Sequence, residues 1–380
     1  MTAPTAPMAV QRRLAACDEI TVRAAVAAIK AEAPQLRGRD LLEAASALRR
    51  SVAGVGGLEP LLRDPAVTDI CINGPGPVWV DRGDGLRRSA VSIELDADLR
   101  ALAVRLVSAA GQRLDDAVPY ADARLSDGTR VHAVLPPITP GGVHLSLRIP
   151  ARRGFDLDEL VRCGSVPADG GDLLRQLVRS GIGFIVTGGT GTGKTTVLGC
   201  LLGHVPPEQR IVIVEDCAEL SPRHPHVVKL EVRRPNAEGR GGVAMDELVR
   251  QALRMRPDRL VVGEARGPEI GDLLMALNTG HAGGCGTVHV DRPQQLPARI
   301  EALASLRGWS REAAQSQLTA AIDAVVHLRR GADGRRVVAG IAILQLREGA
   351  VVAEPAWRFG EGSVTAEAGA SAYAERVARR

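Results

Sequence analysis

Eight residues near the middle of the chain, Gly188-Gly189-Thr190-Gly191-Thr192-Gly193-Lys194-Thr195, satisfy G-x-x-x-x-G-K-S/T at every fixed position. The glycines free the backbone to take positive φ, so that successive N–H groups converge on one anion. A helix opening near Lys194 adds the positive end of its dipole, and a phosphate is then held without any side chain. Lys194 offers a point charge to β/γ oxygens, and the Thr195 hydroxyl is placed to ligate Mg²⁺. Hydrolysis needs more: a carboxylate that holds the metal, and a group that orients water. Glu264 follows Leu260-Val261-Val262-Gly263 and suits the metal, directly or through water. Glu215 follows Ile211-Val212-Ile213-Val214 and suits the water. His289 closes the glycine-led segment Gly283-Gly284-Cys285-Gly286-Thr287-Val288-His289, although a histidine taken alone is more often structural. No Asn-Lys-x-Asp segment occurs to read guanine, so ATP is favoured over GTP.

The elements that must position these residues are legible around them. Phe184-Ile185-Val186 is a short apolar strand leading into the loop, and Thr196-Val197-Leu198-Gly199-Cys200-Leu201-Leu202 is helix-forming sequence leading out. From about Asp156 to Leu346 strands alternate with helical segments, the pattern of a parallel sheet with right-handed crossovers. Apolar strands ending in carboxylates deliver them to the carboxyl edge of such a sheet, where the glycine loop also lies. After Glu264, the residues Ile270, Leu273, Leu274 and Leu277 recur with helical spacing, which predicts an amphipathic helix ending at Gly280.

Upstream, between Leu58 and Pro150, the character is that of a smaller α/β domain. Ile70-Cys71-Ile72-Asn73 and Val78-Trp79-Val80 read as strands joined by a Gly/Pro turn, with a helix around Asp96–Ala110. Arg130–Leu135 and Val143–Arg148 alternate like a half-buried antiparallel pair. A linker is expected near Ile149–Gly154. The reading therefore divides the chain into 1–57, a disordered start and a helical arm (Val10–Ala33 and Asp40–Val52); 58–150; 151–347, closed by the strand Val338–Leu346; and 348–380, a polar, Ala/Gly-rich tail expected to be poorly ordered.

Composition limits the function classes. The 380 residues carry 48 Lys+Arg against 44 Asp+Glu, a formal charge of only +4, so charge does not point to nucleic acid. Three Trp, two Tyr and three Phe leave few rings on which a single strand could stack. Six cysteines without a C-x-x-C pair indicate neither a zinc module nor a disulfide scaffold. Neither a signal peptide nor a run of ~18 apolar residues occurs, which predicts a cytoplasmic protein that reaches a membrane only through a partner.

Several segments together resemble the secretion ATPases of type II and type IV systems. They are the glycine loop 188–195, Ile213-Val214-Glu215-Asp216-Cys217-Ala218-Glu219-Leu220, Arg254–Gly267, and Asn278-Thr279-Gly280-His281 followed by Thr287-Val288-His289. The likeness is greatest to the subclass that drives tight-adherence (Flp-type) pili. It extends into the smaller domain through Asp64–Ile70, Ile72-Asn73-Gly74-Pro75 and Asp122–Val131, and so covers roughly Leu58 to Leu346.

That resemblance implies a RecA-like P-loop ATPase domain behind a smaller N-terminal α/β (PAS-like) domain, assembled as a homo-hexamer at an inner-membrane platform protein. ATP and Mg²⁺ would be the ligands, gripped by Gly188, Gly189, Thr190, Gly191, Thr192, Gly193, Lys194, Thr195 and Thr196, with Thr195 and Glu264 on the metal. Glu215 takes the place of the acidic-box carboxylate, Glu264 of the second-motif glutamate and His289 of the histidine-box sensor. Arg124, Arg130 and Arg148 stand where the family brings arginines onto γ-phosphate, against the alternative of ordinary surface arginines. Cys217, Cys285 and Ala282-Gly283-Gly284 depart mildly from the family pattern, and the four-cysteine module of some type II relatives is absent. The implied activity is ATP hydrolysis that powers pilin assembly or protein export. Its rivals are a conjugation-type transfer motor and a nucleotide-dependent scaffold that does not hydrolyse.

Overall fold

The computed structural model describes residues 56–379 except 84, 151–154, 234, 236–239, 281–282 and 332, together with a few isolated positions before residue 56. The two arm helices expected before residue 53 and most of the expected linker lie outside the described residues. The chain divides into two compact units, Met1–Arg152 and Arg153–Arg380.

In the first unit a short helix α1 (Glu59–Arg63) precedes strands β1 (Asp69–Asn73), β2 (Gly76–Asp81) and β3 (Leu86–Ile93). Helix α2 (Asp96–Ala109) and strands β4 (Tyr120–Arg124), β5 (Arg130–Val134) and β6 (His144–Arg148) follow. The strands form one sheet in the order β3-β2-β1-β6-β5-β4, antiparallel throughout. Period-2 alternation gives the sheet a dry face and a wet face: in β6 Leu145 and Leu147 are buried while Ser146 and Arg148 are exposed. Helix α2 presents Leu99, Leu102, Ala103, Leu106 and Val107, one helical stripe, to the same core. Its first residue is tied to β6's approach, because Asp96 Oδ1 accepts from the Val143 amide at 2.9 Å.

The second unit opens with α3 (Leu157–Arg162) and α4 (Ala168–Ser180), then β7 (Phe184–Thr187), α5 (Lys194–Leu202), β8 (Ile211–Glu215) and β9 (Val227–Glu231). It continues through α6 (Met245–Ala252), β10 (Arg259–Val262), α7 (Glu269–Asn278), β11 (Cys285–Val288), α8 (Leu296–Ser305) and α9 (Arg311–Ala321). The unit ends with β12 (Ala324–Arg330), β13 (Arg336–Arg347), β14 (Ala350–Phe359), β15 (Val364–Ala366) and α10 (Ala370–Ala378). Its strands run β15-β14-β13-β12-β7-β11-β10-β8-β9; from β12 to β9 every pairing is parallel, and from β12 to β15 every pairing is antiparallel. The inner parallel strands β7, β11, β10 and β8 are buried along their whole length, whereas the edge strand β9 is not. In β8 Ile211 and Ile213 enter one core and Val212 and Val214 the other.

Three expectations need correction. The tail 348–380 is not poorly ordered, and Val338–Leu346 does not close the sheet: β13 is longer, and β14, β15 and α10 follow it. Glu348 and Gly349 both take positive φ, 50° and 80°, and turn β13 directly into β14, with Arg347 opposite Ala350. The apolar minority then does the anchoring. Val351, Ala353, Ala356, Phe359 and Tyr373 are buried, and the Tyr373 ring meets Trp357 edge-on at 6.3 Å. The Tyr373 hydroxyl donates to Leu173 O of α4 at 2.9 Å. The helix expected after Glu264 is also not amphipathic: α7 buries eight residues, Glu269 and Asp272 among them, because α6, α8 and α9 surround it.

Candidate nucleotide site

Strand order decides what stands beside what. The parallel neighbours β7, β11, β10 and β8 end in the glycine loop, His289, Glu264 and Glu215 respectively, so these groups are ranked along one sheet edge. His289 thus falls between the loop and Glu264.

The loop is shaped by three glycines in the positive-φ region, Gly188 (153°), Gly191 (70°) and Gly193 (92°). At Gly188 space as well as φ demands glycine, since a Cβ there would lie 2.6 Å from Thr192 Oγ1 and 2.7 Å from Leu328 O. No side chain caps the first turn of α5, whose amides have no intrahelical acceptor and remain available to an anion. Lys194 is 6% exposed and curls inside the loop, donating to Gly188 O at 3.0 Å and Gly189 O at 2.9 Å. Burial lowers its pKa, while Glu264 partly restores it. Thr192 Oγ1 donates to Gly189 O at 2.9 Å and closes the loop on itself.

A polar chain runs outward from Lys194. Its Nζ lies 3.4 Å from His289 Nδ1, His289 Nε2 lies 2.8 Å from Glu264 Oε1, and Glu264 Oε2 accepts from Arg266 Nη2 at 2.5 Å. The His289–Glu264 approach is close but not aligned as a hydrogen bond, since Glu264 Oε1 is buried without a hydrogen-bond partner; an ammonium has no acceptor, so the Lys194 side calls for the lone pair at Nδ1. Burial first, and the neighbouring Lys194 charge second, hold the His289 pKa below its usual value and favour the neutral ring. Thr287 Oγ1 donates to Gly263 O at 2.7 Å and the Gly263 amide donates to Val214 O at 2.9 Å, which fixes the ends of β8, β10 and β11 together.

Glu215 is 4% exposed, and burial pushes its carboxyl up to about 7 against the opposing pull of two amides. Those amides, of Glu219 and Leu220, donate to Oε1 at 3.0 Å each, while Oε2 is buried without a hydrogen-bond partner. The carboxyl fits because Gly263 has no side chain: a Cβ there would come 2.5 Å from Glu215 Cγ. The uncapped helix start, the enclosed ammonium and the orphaned carboxyl oxygen together suit a phosphate with its counter-ion and a proton-bearing ligand.

Among the residues singled out in the sequence, Lys194, His289 and Glu264 come together, Glu215 stands beside Gly263, and the Thr195 hydroxyl meets Glu219 Oε2 at 3.4 Å. Glu219 and Arg266 had no role assigned to them, although both lie within the motif segments and were there to be found. Arg124, Arg130 and Arg148 belong to the other unit. There they form a row across three strands, Arg124 opposite Arg130 and Arg130 opposite Arg148. Arg148 Nε also lies 3.6 Å from Asp69 Oδ1.

The described residues contain no helix long and apolar enough to cross a membrane. The sequence profile of the type II/IV secretion system proteins matches residues 52–354. The chain belongs to this family. A putative conjugal transfer protein of Mycobacterium tuberculosis is 50% identical over 321 residues, spanning 83% of this chain and 91% of that protein. The type IV secretion system protein PtlH of Bordetella pertussis is 34% identical over 312 residues, spanning 74% of this chain and 91% of its own length. Of solved structures, the Legionella pneumophila ATPase DotB superposes with a TM-score of 0.54 at 19% identity, covering 75% of this chain and 79% of DotB. The pilus retraction motor PilT with bound ADP gives 0.54 at 18%, covering 85% of each chain. Those two likenesses are of fold: this secretion-family chain carries a RecA-like nucleotide domain behind a smaller α/β unit. The family match ends at residue 354, within β14, and α10 with Tyr373 lies beyond it.

Proposed function

We propose that the chain hydrolyses ATP to ADP and phosphate and, as a homo-hexamer on a membrane platform partner, powers pilin assembly or protein export from the cytoplasmic side. The observation that carries this reading is the close series Lys194, His289, Glu264 beside an uncapped helix start. The Thr195 hydroxyl and Glu264 would hold Mg²⁺, which would supply charge neutralisation to the phosphates. The loop amides and Lys194 hold the phosphates. Glu264 and His289 sense the terminal phosphate, because His289 Nδ1 stands 3.4 Å from the Lys194 ammonium and Glu264 Oε1 stands 2.8 Å from the ring's other nitrogen. Glu215, with a carboxyl poised near neutrality and one oxygen free, accepts a proton from the attacking water at Oε2.

The arginine row supplies the mechanical part. Like charges directly opposite on neighbouring strands repel, so Arg124, Arg130 and Arg148 are a surface on which an anion is stabilising. The anion proposed for this row is a γ-phosphate, of the same subunit or of a neighbouring one, and its loss on hydrolysis is the event to which the row responds. Lys194→Ala tests the site: turnover is lost while the thermal unfolding profile stays that of the wild type, and unchanged ATPase activity sinks the assignment.

A conjugation-type DNA-transfer motor is the second reading, favoured by the name borne by the mycobacterial relative. The near-balanced charge and the eight aromatic residues weigh against it. ATPase stimulation by DNA separates the two.

A further inference from the structure

We propose that Arg330 and Arg336 form a second cationic lip of the nucleotide site, one that binds the α-phosphate end of a nucleoside di- or triphosphate. Three observations meet here. First, β12 pairs in parallel with β7, so the end of β12 runs out beside the glycine loop. Arg330 Nη2 donates to Gly191 O at 3.3 Å. A Cβ on Gly193 would lie 3.7 Å from Arg336 Cδ, so that side chain passes along the loop's other glycine.

Second, Arg330 and Arg336 are direct register partners across the antiparallel pair β12–β13. Two guanidinium groups set opposite each other repel unless an anion joins them. Among the described residues no carboxylate pairs with either, whereas the neighbouring Arg335 is paired with Asp333. Arginine's planar fork is the side chain best matched to phosphate oxygens.

Third, the lip lies on a definite side. Lys194, His289 and Glu264, to which the proposed function gives the terminal phosphate, stand on the β11–β10 flank of β7. Arg330 and Arg336 stand on the β12 flank, the opposite one. A nucleotide whose terminal phosphate points toward Glu264 directs its nucleoside end away from it, toward the two arginines. They grip a part common to ADP and ATP, and contribute binding that is the same before and after hydrolysis.

This inference rests on the ATPase reading, and its test separates the two. In titration calorimetry with Mg²⁺, Arg330→Gln/Arg336→Gln weakens ADP and a non-hydrolysable ATP analogue by the same factor, about 10-fold. Its kcat at saturating ATP stays within about 2-fold of wild type, with the loss appearing in KM. Arg329→Gln, an exposed neighbour on β12, leaves both affinities unchanged. If the double variant keeps wild-type affinity for ADP while Lys194→Ala loses it, the lip is refuted and the nucleotide site stands. A loss confined to the ATP analogue also refutes it, since the arginines would then serve γ-phosphate. Wild-type protein that binds neither ligand overturns both readings.

Discussion

His289 Nε2 stands 2.8 Å from Glu264 Oε1 because β11 is inserted between the strand that bears the glycine loop and the strand that bears Glu264. The imidazole is therefore a spacer with a function: its other nitrogen faces the Lys194 ammonium at 3.4 Å. One ring thus faces an ammonium on one side and a carboxylate on the other.

Removing that ring should damage the chemical step more than binding. His289→Ala is expected to lower kcat by about 10–100-fold, in the range seen when a group that orients a catalytic ligand is lost. Its KM for ATP should stay within about 3-fold, since the loop amides that hold the phosphates are untouched. Steady-state kinetics with equal losses in kcat and affinity would show that His289 only maintains the loop.

Glu215 predicts two pH effects of definite sign. Its carboxyl is raised in the folded state from 4.5 to about 7, so its ionisation is easier in the unfolded chain. The corresponding stability is fully present below pH 4.5 and is lost as the pH rises through about 7. Glu215→Gln should therefore flatten the pH dependence of the unfolding midpoint across that window and gain up to ~3 kcal/mol at pH 8. Turnover follows the opposite limb, rising in the wild type as Glu215 deprotonates near pH 7 and lacking that limb in the variant. A Gln variant with an unaltered pH–rate profile would remove Glu215 from the chemistry.

Arg130 occupies the middle of the arginine row and feels like charge from both sides. Arg130→Gln should lower ATP turnover by about 10-fold or more while the chain still folds. Chemical denaturation read beside ATPase rate separates a residue kept for an anion from one kept for the fold. A variant that loses stability and keeps its turnover contradicts the assignment.

Tyr373 anchors the last helix, α10, to α4 and β14. Tyr373→Phe removes the hydroxyl that reaches Leu173 O and leaves that carbonyl without it, at a cost of ~1 kcal/mol. Tyr373→Ala also removes the ring packed on Trp357 and should cost ~3–5 kcal/mol. Thermal melts that do not register either change would mean that this helix is not part of the unit's cooperative fold.

The tail also shows where sequence patterns mislead. Val351, Ala353 and Phe359 sit in an alternating run that a strand reading could have caught. The Glu348-Gly349 turn lacks the Asn-Gly or Asp-Gly signature of a tight hairpin, and the polar surroundings outweigh a few anchors. Helix α7 misleads in the other direction. Its apolar spacing is that of a one-sided helix, and only its neighbours bury Asp272, against the Arg307 guanidinium and 3.5 Å from Arg250.

What the sequence alone determined is local: the glycine loop with Lys194 and Thr195, the apolar strands that end in Glu215 and Glu264, and the division into a smaller and a larger α/β part. Those follow from backbone sterics and short-range periodicity, which neighbouring residues carry by themselves. Only the tertiary structure decided that His289 stands between Lys194 and Glu264, that Gly263 makes room for Glu215, and that two sets of arginines align across strands. Each of those depends on the order and register in which distant strands pair. A parallel sheet sets that order through the burial of both its faces, and no single stretch of chain contains it.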